Sequence, residues 1–345
     1  MIGRRATAAA VLGLAGTGIA SFAGADTVDR RRIKADPAYE LLFEAPEHEE
    51  LEAVSADGTR LHVEASGPED APPVVLVHGW TCAVRFWRRQ IRDLMADHRV
   101  IAFDLRGHGR SGTPEGGDWS PDALGDDLQA VLEQCVGDRP ALLAGHSLGG
   151  MTIAAWAGRH AGEVQRRASG AVLINTGMGD LISESLVVRT PDAFGRVNQA
   201  VGTFLLGSAT PLPPRPDPVS HRIVRYVALS PSASPAAVRM TEDLVLNSHP
   251  RVRAGCGREL SRLDLLERVA HLTVPTVVIA GKADKLTPPV HAERLAGALP
   301  DLVDMLELEG CGHMGPLERA DEVTAALLRM AGAEPAPVGA EAVRS

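Results

Sequence analysis

Ser147 stands inside Gly145-His146-Ser147-Leu148-Gly149, directly after the apolar run Ala141 to Ala144 and ahead of a helical pattern. Glycine packs nothing and costs backbone entropy, so its placement on both sides of one serine asks for a geometric reason. A tight strand-to-helix turn supplies it, because such a turn strains the serine backbone and closes only where the neighbouring positions carry no side chain. The hydroxyl is then lifted clear of the sheet, and the amides of the following helix face whatever it attacks. A hydroxyl alone is a poor nucleophile and needs a base within hydrogen-bond reach and a carboxylate to orient that base. Asp284, in "VIAGKADKLTPP", falls just past a buried-type strand, and His313, in "LELEGCGHMGPLE", falls in a glycine-flanked loop past the last strand. Taken singly, the aspartate reads as a turn residue and the histidine as an ordinary loop residue. Taken in the order Ser147, Asp284, His313, each at a strand end, they read as nucleophile, acid and base. Asp180, after "LINTGMG", is the substitute acid.

A serine attacking a carbonyl also needs donors for the oxyanion. The N–H of Leu148, next after the serine, is one. The other is expected from "HGWTCAVRFW" after the strand ending at Val77, where Trp80 holds the position whose N–H would point inward. Trp80 is equally readable as plain core, and its bulk would narrow a substrate pocket. Cys82, His146 and Met314 are the further candidates for that pocket, although His146, like His78, also reads as scaffold.

These side chains need a frame. "LEAVSADGTRLHVEASG" reads as a hairpin turning at Asp57-Gly58. Continuous apolar strands follow at Val74–Val77, Val100–Phe103 and "ALLAG", with more in "GAVLINTG", "VPTVVIAGKAD" and "LVDMLELEG". Helical patterns lie between them near Phe86–Met95, Pro121–Cys135, Leu148–His160, Val290–Leu299 and Leu317–Met330. Buried-type strands alternating with helices indicate an α/β fold, a mostly parallel sheet covered on both faces. Between Gly177 and about Arg262 no such strand occurs, and "TPLPPRPDPVS" is too rich in proline for a regular element. An insertion of that size is expected to form a helical cap rather than a structureless loop.

The 345 residues suffice for a full core, and the net charge of −9 argues against a broad phosphate-binding surface, hence against nucleic acid as partner. Cys82, Cys135, Cys256 and Cys311 show no CxxC spacing, so a metal cluster is not expected and buried free thiols are. At the N-terminus Arg4-Arg5 precede an uncharged run from Ala6 to Ala25 that ends in Ala-Gly-Ala. Two readings stay open. One is a cleaved export signal; the pair is similar to a twin-arginine signal but lacks a bulky residue soon after it. The other is an uncleaved anchor, in which Arg30, Arg31, Arg32 and Lys34 would hold the large domain on the cytoplasmic face.

The set "VHGW", "DLRGHGRSG", "GHSLGGM", "GKADKLTP" and "GCGHM" resembles the α/β-hydrolase superfamily, and within it the capped esterase, haloperoxidase-like and C–C hydrolase members. The resemblance covers about Leu51 to Met330. It implies the α/β-hydrolase fold, with Ser147 at the nucleophile position, Asp284 at the acid, His313 at the base, and Trp80 and Leu148 at the oxyanion hole. His108, in the loop Asp104 to Ser111, falls in a mainly structural stretch and is not the base. Epoxide hydrolases and haloalkane dehalogenases carry aspartate where Ser147 stands, which argues against both. Arginines and prolines throughout the insertion argue against a lipase with a large apolar lid.

Together these features divide the chain into an N-terminal signal or anchor (1–25), a linker (26–50), a first core part (51–178), a helical cap (179–262), a second core part (263–332) and a disordered tail (333–345). The activity expected is hydrolysis of a small carboxylic ester through an acyl-enzyme, with no cofactor and no metal. Cleavage of a C–C, thioester or amide bond by the same residues is the alternative, and a ligand-binding protein without turnover is another. An envelope location follows only from residues 6–25, through which the chain would associate with a membrane.

Overall fold

The computed structural model describes residues 31–187, 202–203 and 207–332. The N-terminal run, part of the insertion and the tail therefore lie outside the described residues. Eight strands form one sheet: β1 (Glu49–Val54), β2 (Arg60–Ser66), β3 (Pro73–Val77), β4 (Arg99–Phe103), β5 (Ala141–His146), β6 (Ala168–Ile174), β7 (Thr276–Gly281) and β8 (Leu302–Leu308), in the order β1-β2-β4-β3-β5-β6-β7-β8. The first two run antiparallel to their neighbours, and the remaining six are parallel. The α/β-hydrolase fold expected from the motifs is the one observed.

Alternation along each strand builds two cores. Val75, Val77, Leu143, Leu173 and Val278 face one layer, which is filled by α3 (Pro121–Val131), α4 (Leu148–Arg159) and α8 (Pro289–Ala298). Val74, Leu76, Ala144, Val172 and Ile279 face the other, filled by α2 (Arg88–Leu94) and α9 (Ala320–Ala331). A strand with both faces covered has no use for polar alternation, hence the unbroken apolar runs.

Several expectations need adjustment. The segment read as a linker up to residue 50 carries α1 (Tyr39–Phe43), and β1 begins inside it at Glu49. Leu42 is buried against the second core layer, Arg88 and Arg92 donate to the last carbonyls of α1, and Asp36 accepts from the Ala236 N–H. One buried leucine and three docked polar groups tie this stretch to the fold. The hairpin is wider than a two-residue turn: Ser55 N–H donates to Thr59 O across a loop in which Gly58 adopts φ +84°. The pattern over 317–330 is also broken. A short turn, Gly315–Glu318, precedes α9, and Arg319 between them leaves helical geometry at φ −135°, ψ 52°. Its guanidinium donates to the carbonyls of Glu309 and Gly310.

Between β6 and β7 the described residues contain α5 (Pro218–Ala228), α6 (Pro235–Asn247) and α7 (Pro250–Leu260). Each opens with proline at the first helical position behind a side-chain cap from Asp217, Ser234 or His249. All four cysteines are free, with Cys82, Cys256 and Cys311 buried and Cys135 half-buried. No helix among the described residues is long and apolar enough to cross a membrane.

Candidate active site

Parallel pairing sets the ends of the strands side by side. Val77 pairs with Gly145, His146 with Ile174, and Ile174 with Ile279. The residues that follow β3, β5, β6, β7 and β8 therefore emerge at one rim, and Trp80, Ser147, Asn175, Asp284 and His313 all lie just past such an end.

Ser147 occupies the turn between β5 and α4 with φ 51° and ψ −116°, a region L-residues rarely adopt. A Cβ on Gly145 would lie 2.5 Å from the Gly150 nitrogen, and one on Gly149 would lie 2.0 Å from the Val77 carbonyl oxygen. Those contacts are impossible for any side chain, which accounts for the glycines. Gly79 makes the third close approach, its Cβ position falling 3.2 Å from the Ser147 Cβ. The loop after β3 is thus brought against the serine. It turns tightly from Gly79 to Cys82, with Thr81 at φ +63°, and Trp80 sits at its tip. Leu148 is the first residue of α4, and its N–H has no partner within the helix.

Asp284 is buried, and its carboxylate meets five donors. Oδ1 accepts from the N–H groups of Leu286 at 2.8 Å and Thr287 at 3.0 Å. Oδ2 accepts from Asn175 Nδ2 at 3.0 Å, Thr287 Oγ1 at 2.9 Å and His313 Nδ1 at 2.8 Å. Burial works to raise its pKa, but the His313 charge and these hydrogen bonds outweigh it and hold the carboxyl below its ordinary value. The aspartate therefore fixes the proton of His313 on Nδ1 and leaves Nε2 as the basic atom. No hydrogen bond joins the Ser147 hydroxyl to this imidazole among the described residues, a bond that commonly tightens only around a substrate.

Asp180, the substitute acid, is exposed and faces Arg294 at 3.4 Å. Trp80 is half-buried; its indole donates to the Arg253 carbonyl at 3.2 Å and packs with Trp119, Val252 and Cys256, which ties the loop to α7. Cys82 and Met314 are buried in the second core layer, and burial pushes the Cys82 thiol up to about 12. His146 is buried between the rings of Phe86 and His313, at 4.6 and 5.0 Å between centroids, and donates from Nε2 to the His313 carbonyl at 2.8 Å. His78 donates from Nδ1 to the Gly79 carbonyl and accepts the Leu105 N–H, and buried Asp104 accepts from the N–H groups of Val84 and Arg110. Both hold loops in place.

Sequence reasoning missed Asn175 and Thr287, which hold the Asp284 carboxylate from two sides. Thr287 lies three residues past Asp284, a spacing suited to local side-chain bonding, and Asn175 is the first polar residue after an apolar strand. The Thr287 signal was local and legible, whereas nothing in the chain pairs Asn175 with a carboxylate 109 positions away. Asn175 also pays a conformational cost, at φ +46°.

Three buried histidines make the fold acid-sensitive. Burial, aided by the His313 charge, lowers His146 to about 3; burial and the neighbouring His78 lower His108 to about 4; burial also lowers His78. Each stays neutral when folded and takes a proton near its ordinary value of 6.5 when unfolded. Below that value the unfolded chain binds more protons, so stability falls with falling pH, by about 1.4 kcal/mol per unit per histidine at most. Urea melts at about pH 7.5 and 5.5 should show a clearly lower midpoint at the acid value, and equal midpoints would refute the assignment.

The chain matches the family model described as the alpha/beta hydrolase fold over residues 72–320. Among curated proteins it is similar to 3-oxoadipate enol-lactonase 1 of Acinetobacter baylyi, 22% identical over 77% of this chain and 90% of that protein. It is 27% identical to the pimeloyl-[acyl-carrier protein] methyl ester esterase of Vibrio atlanticus, over 69% of this chain and 85% of that one. A match to the AB hydrolase superfamily protein YfhM of Bacillus subtilis is 42% identical but spans only 34% of that protein. Among solved structures, an esterase from Thermogutta terrifontis superposes with a TM-score of 0.65 at 23% identity, covering 84% of this chain and all of its own. With the elbow at Ser147, the strand order and a family match across most of its length, the chain belongs to the α/β-hydrolase fold family and is a hydrolase.

Proposed function

We propose that the chain is a serine hydrolase that cleaves a small carboxylic ester through an acyl-enzyme, with Ser147 as nucleophile, His313 as base and Asp284 as the acid orienting it. The observation that carries this reading is the 2.8 Å bond from His313 Nδ1 to Asp284 Oδ2 at the rim where Ser147 emerges. His313 Nε2 takes the proton as the Ser147 oxygen attacks the carbonyl carbon. The oxyanion is met by the N–H groups of Leu148 and Trp80. The imidazolium then protonates the leaving alcohol, and water repeats the sequence to release the acid. The helices α5 to α7 act as the cap, and Trp80, held by α7, forms a wall between cap and nucleophile.

Two relatives support the ester reading, since one is named as a methyl ester esterase and one as an enol-lactonase, a lactone being a cyclic ester. Active-site labelling decides it. The full chain is expected to react covalently with a fluorophosphonate probe, and Ser147→Ala to give no adduct. A folded wild type that resists the probe would favour ligand binding without turnover. A panel of short-chain ester, lactone, thioester and amide substrates then separates the bond types, with esters expected fastest.

A further inference from the structure

The base is held on one side by Asp284, and its backbone must be held too. His313 follows Gly312, where a Cβ would lie 2.6 Å from the Ser230 nitrogen, so the loop runs hard against the chain leaving α5. Three backbone N–H groups from these two segments converge on one carboxylate. Glu318 Oε2 accepts from Ser230 at 2.8 Å, and Oε1 accepts from Gly312 at 3.1 Å and from Met314 at 3.2 Å. The two residues flanking His313 are thus bound by a single side chain, which also binds the exit of α5. The His313 N–H itself donates to the Ala228 carbonyl, the last residue of α5, at 2.9 Å. At its other end α5 is fastened to α6, where buried Glu242 accepts from Ser220 and His221.

A neutral side chain could not serve all three donors alike. A carboxylate offers about four acceptor sites and forms the stronger, charge-assisted bonds, whereas an amide offers one accepting oxygen and turns its own N–H groups toward the rest.

We propose that Glu318 is a positioning residue: it sets the register of His313 against Asp284 and makes the placement of the base depend on where α5 sits. The proposal rests on the reading of His313 as base. Its consequence is that any shift of α5, on which a substrate under the helices would press, reaches the imidazole through two short connections, Ala228 O and Glu318.

Four full-length proteins test it: wild type, Glu318→Ala, Glu318→Gln and His313→Gln, each assayed with p-nitrophenyl acetate and by fluorophosphonate labelling. The downfield proton resonance of the His313–Asp284 bond is followed alongside. Glu318→Ala is expected to lose about 10- to 100-fold in kcat and labelling rate, the cost of a base displaced by a fraction of an ångström to one ångström. KM should stay within about threefold, because ground-state contacts are untouched. The downfield resonance should shift or broaden in Glu318→Ala, and Glu318→Gln should fall between it and wild type. A folded Glu318→Ala with wild-type kcat and an unmoved resonance overturns the proposal while leaving the base assignment standing. If the alanine variant does not fold, the same result in the isosteric glutamine variant overturns it. A fully active His313→Gln would overturn the base assignment and this proposal with it.

Discussion

Ser147→Ala is expected to lower kcat by about 10⁶-fold and to abolish labelling, with the melting temperature unchanged. The size follows from the proposed chemistry, in which without the oxygen no acyl-enzyme would form and His313 and Asp284 would have nothing to activate. The unchanged stability follows from structure. The hydroxyl makes no hydrogen bond among the described residues, so its removal orphans no partner. The strained backbone at φ 51° is as open to alanine as to serine, both carrying a single Cβ. The turn is meanwhile held from elsewhere, by the Ser147 N–H donating to the Ile174 carbonyl and by Thr176 Oγ1 donating to the Ser147 carbonyl. Initial rates and a thermal melt on the same preparation check both halves. A folded variant keeping more than about a tenth of the rate would require a different nucleophile.

Asp284→Asn should cost about 10⁴-fold in kcat, and the reason is a proton on the wrong nitrogen. The carboxylate accepts on both oxygens, whereas an amide accepts on one. If the amide oxygen takes the Leu286 and Thr287 N–H groups, its NH₂ faces Asn175, Thr287 Oγ1 and His313 Nδ1. His313 Nδ1 must then become an acceptor, which puts the proton on Nε2 and leaves no base toward the serine. Asn175 Nδ2, a donor facing a donor, adds a destabilisation of about 1–3 kcal/mol. Asp180 cannot take over from its place on the surface opposite Arg294. Rates and urea melts of Asp284→Asn and of the double variant with Asp180→Asn measure this. A variant within about tenfold of wild type, or a further loss on removing Asp180, would reassign the acid.

How legible these parts were in the chain differs by residue. Ser147 was readable because its surroundings are local: the turn, the two glycines and the helix start all lie within five residues. Asp284 and His313 were readable as strand-end residues in the right order, and Asp284 outcompetes Asp180 through contacts that order alone does not contain. Asn175 lies 109 positions from its partner Asp284, and Ser230 lies 88 from Glu318; such pairings leave no periodic trace. Trp80 was left between core and pocket wall, and the indole bond to Arg253, 173 positions away, shows why composition could not settle it.

The segment before β1 teaches the same lesson in reverse. Residues 31–48 look linker-like because half of them are exposed and charged residues are spread along them, yet Leu42 and the carbonyls at the end of α1 dock on α2. By itself, then, the sequence determined what short-range physics controls: strand and helix periods, caps, and the strained elbow that carries Ser147. Tertiary structure alone decided which carboxylate meets His313, that Asn175 supports it, and how α5 is joined to the His313 loop. The reason is that hydrogen bonds between distant strand ends depend on sheet register to within an ångström, and register is a property of the assembled sheet.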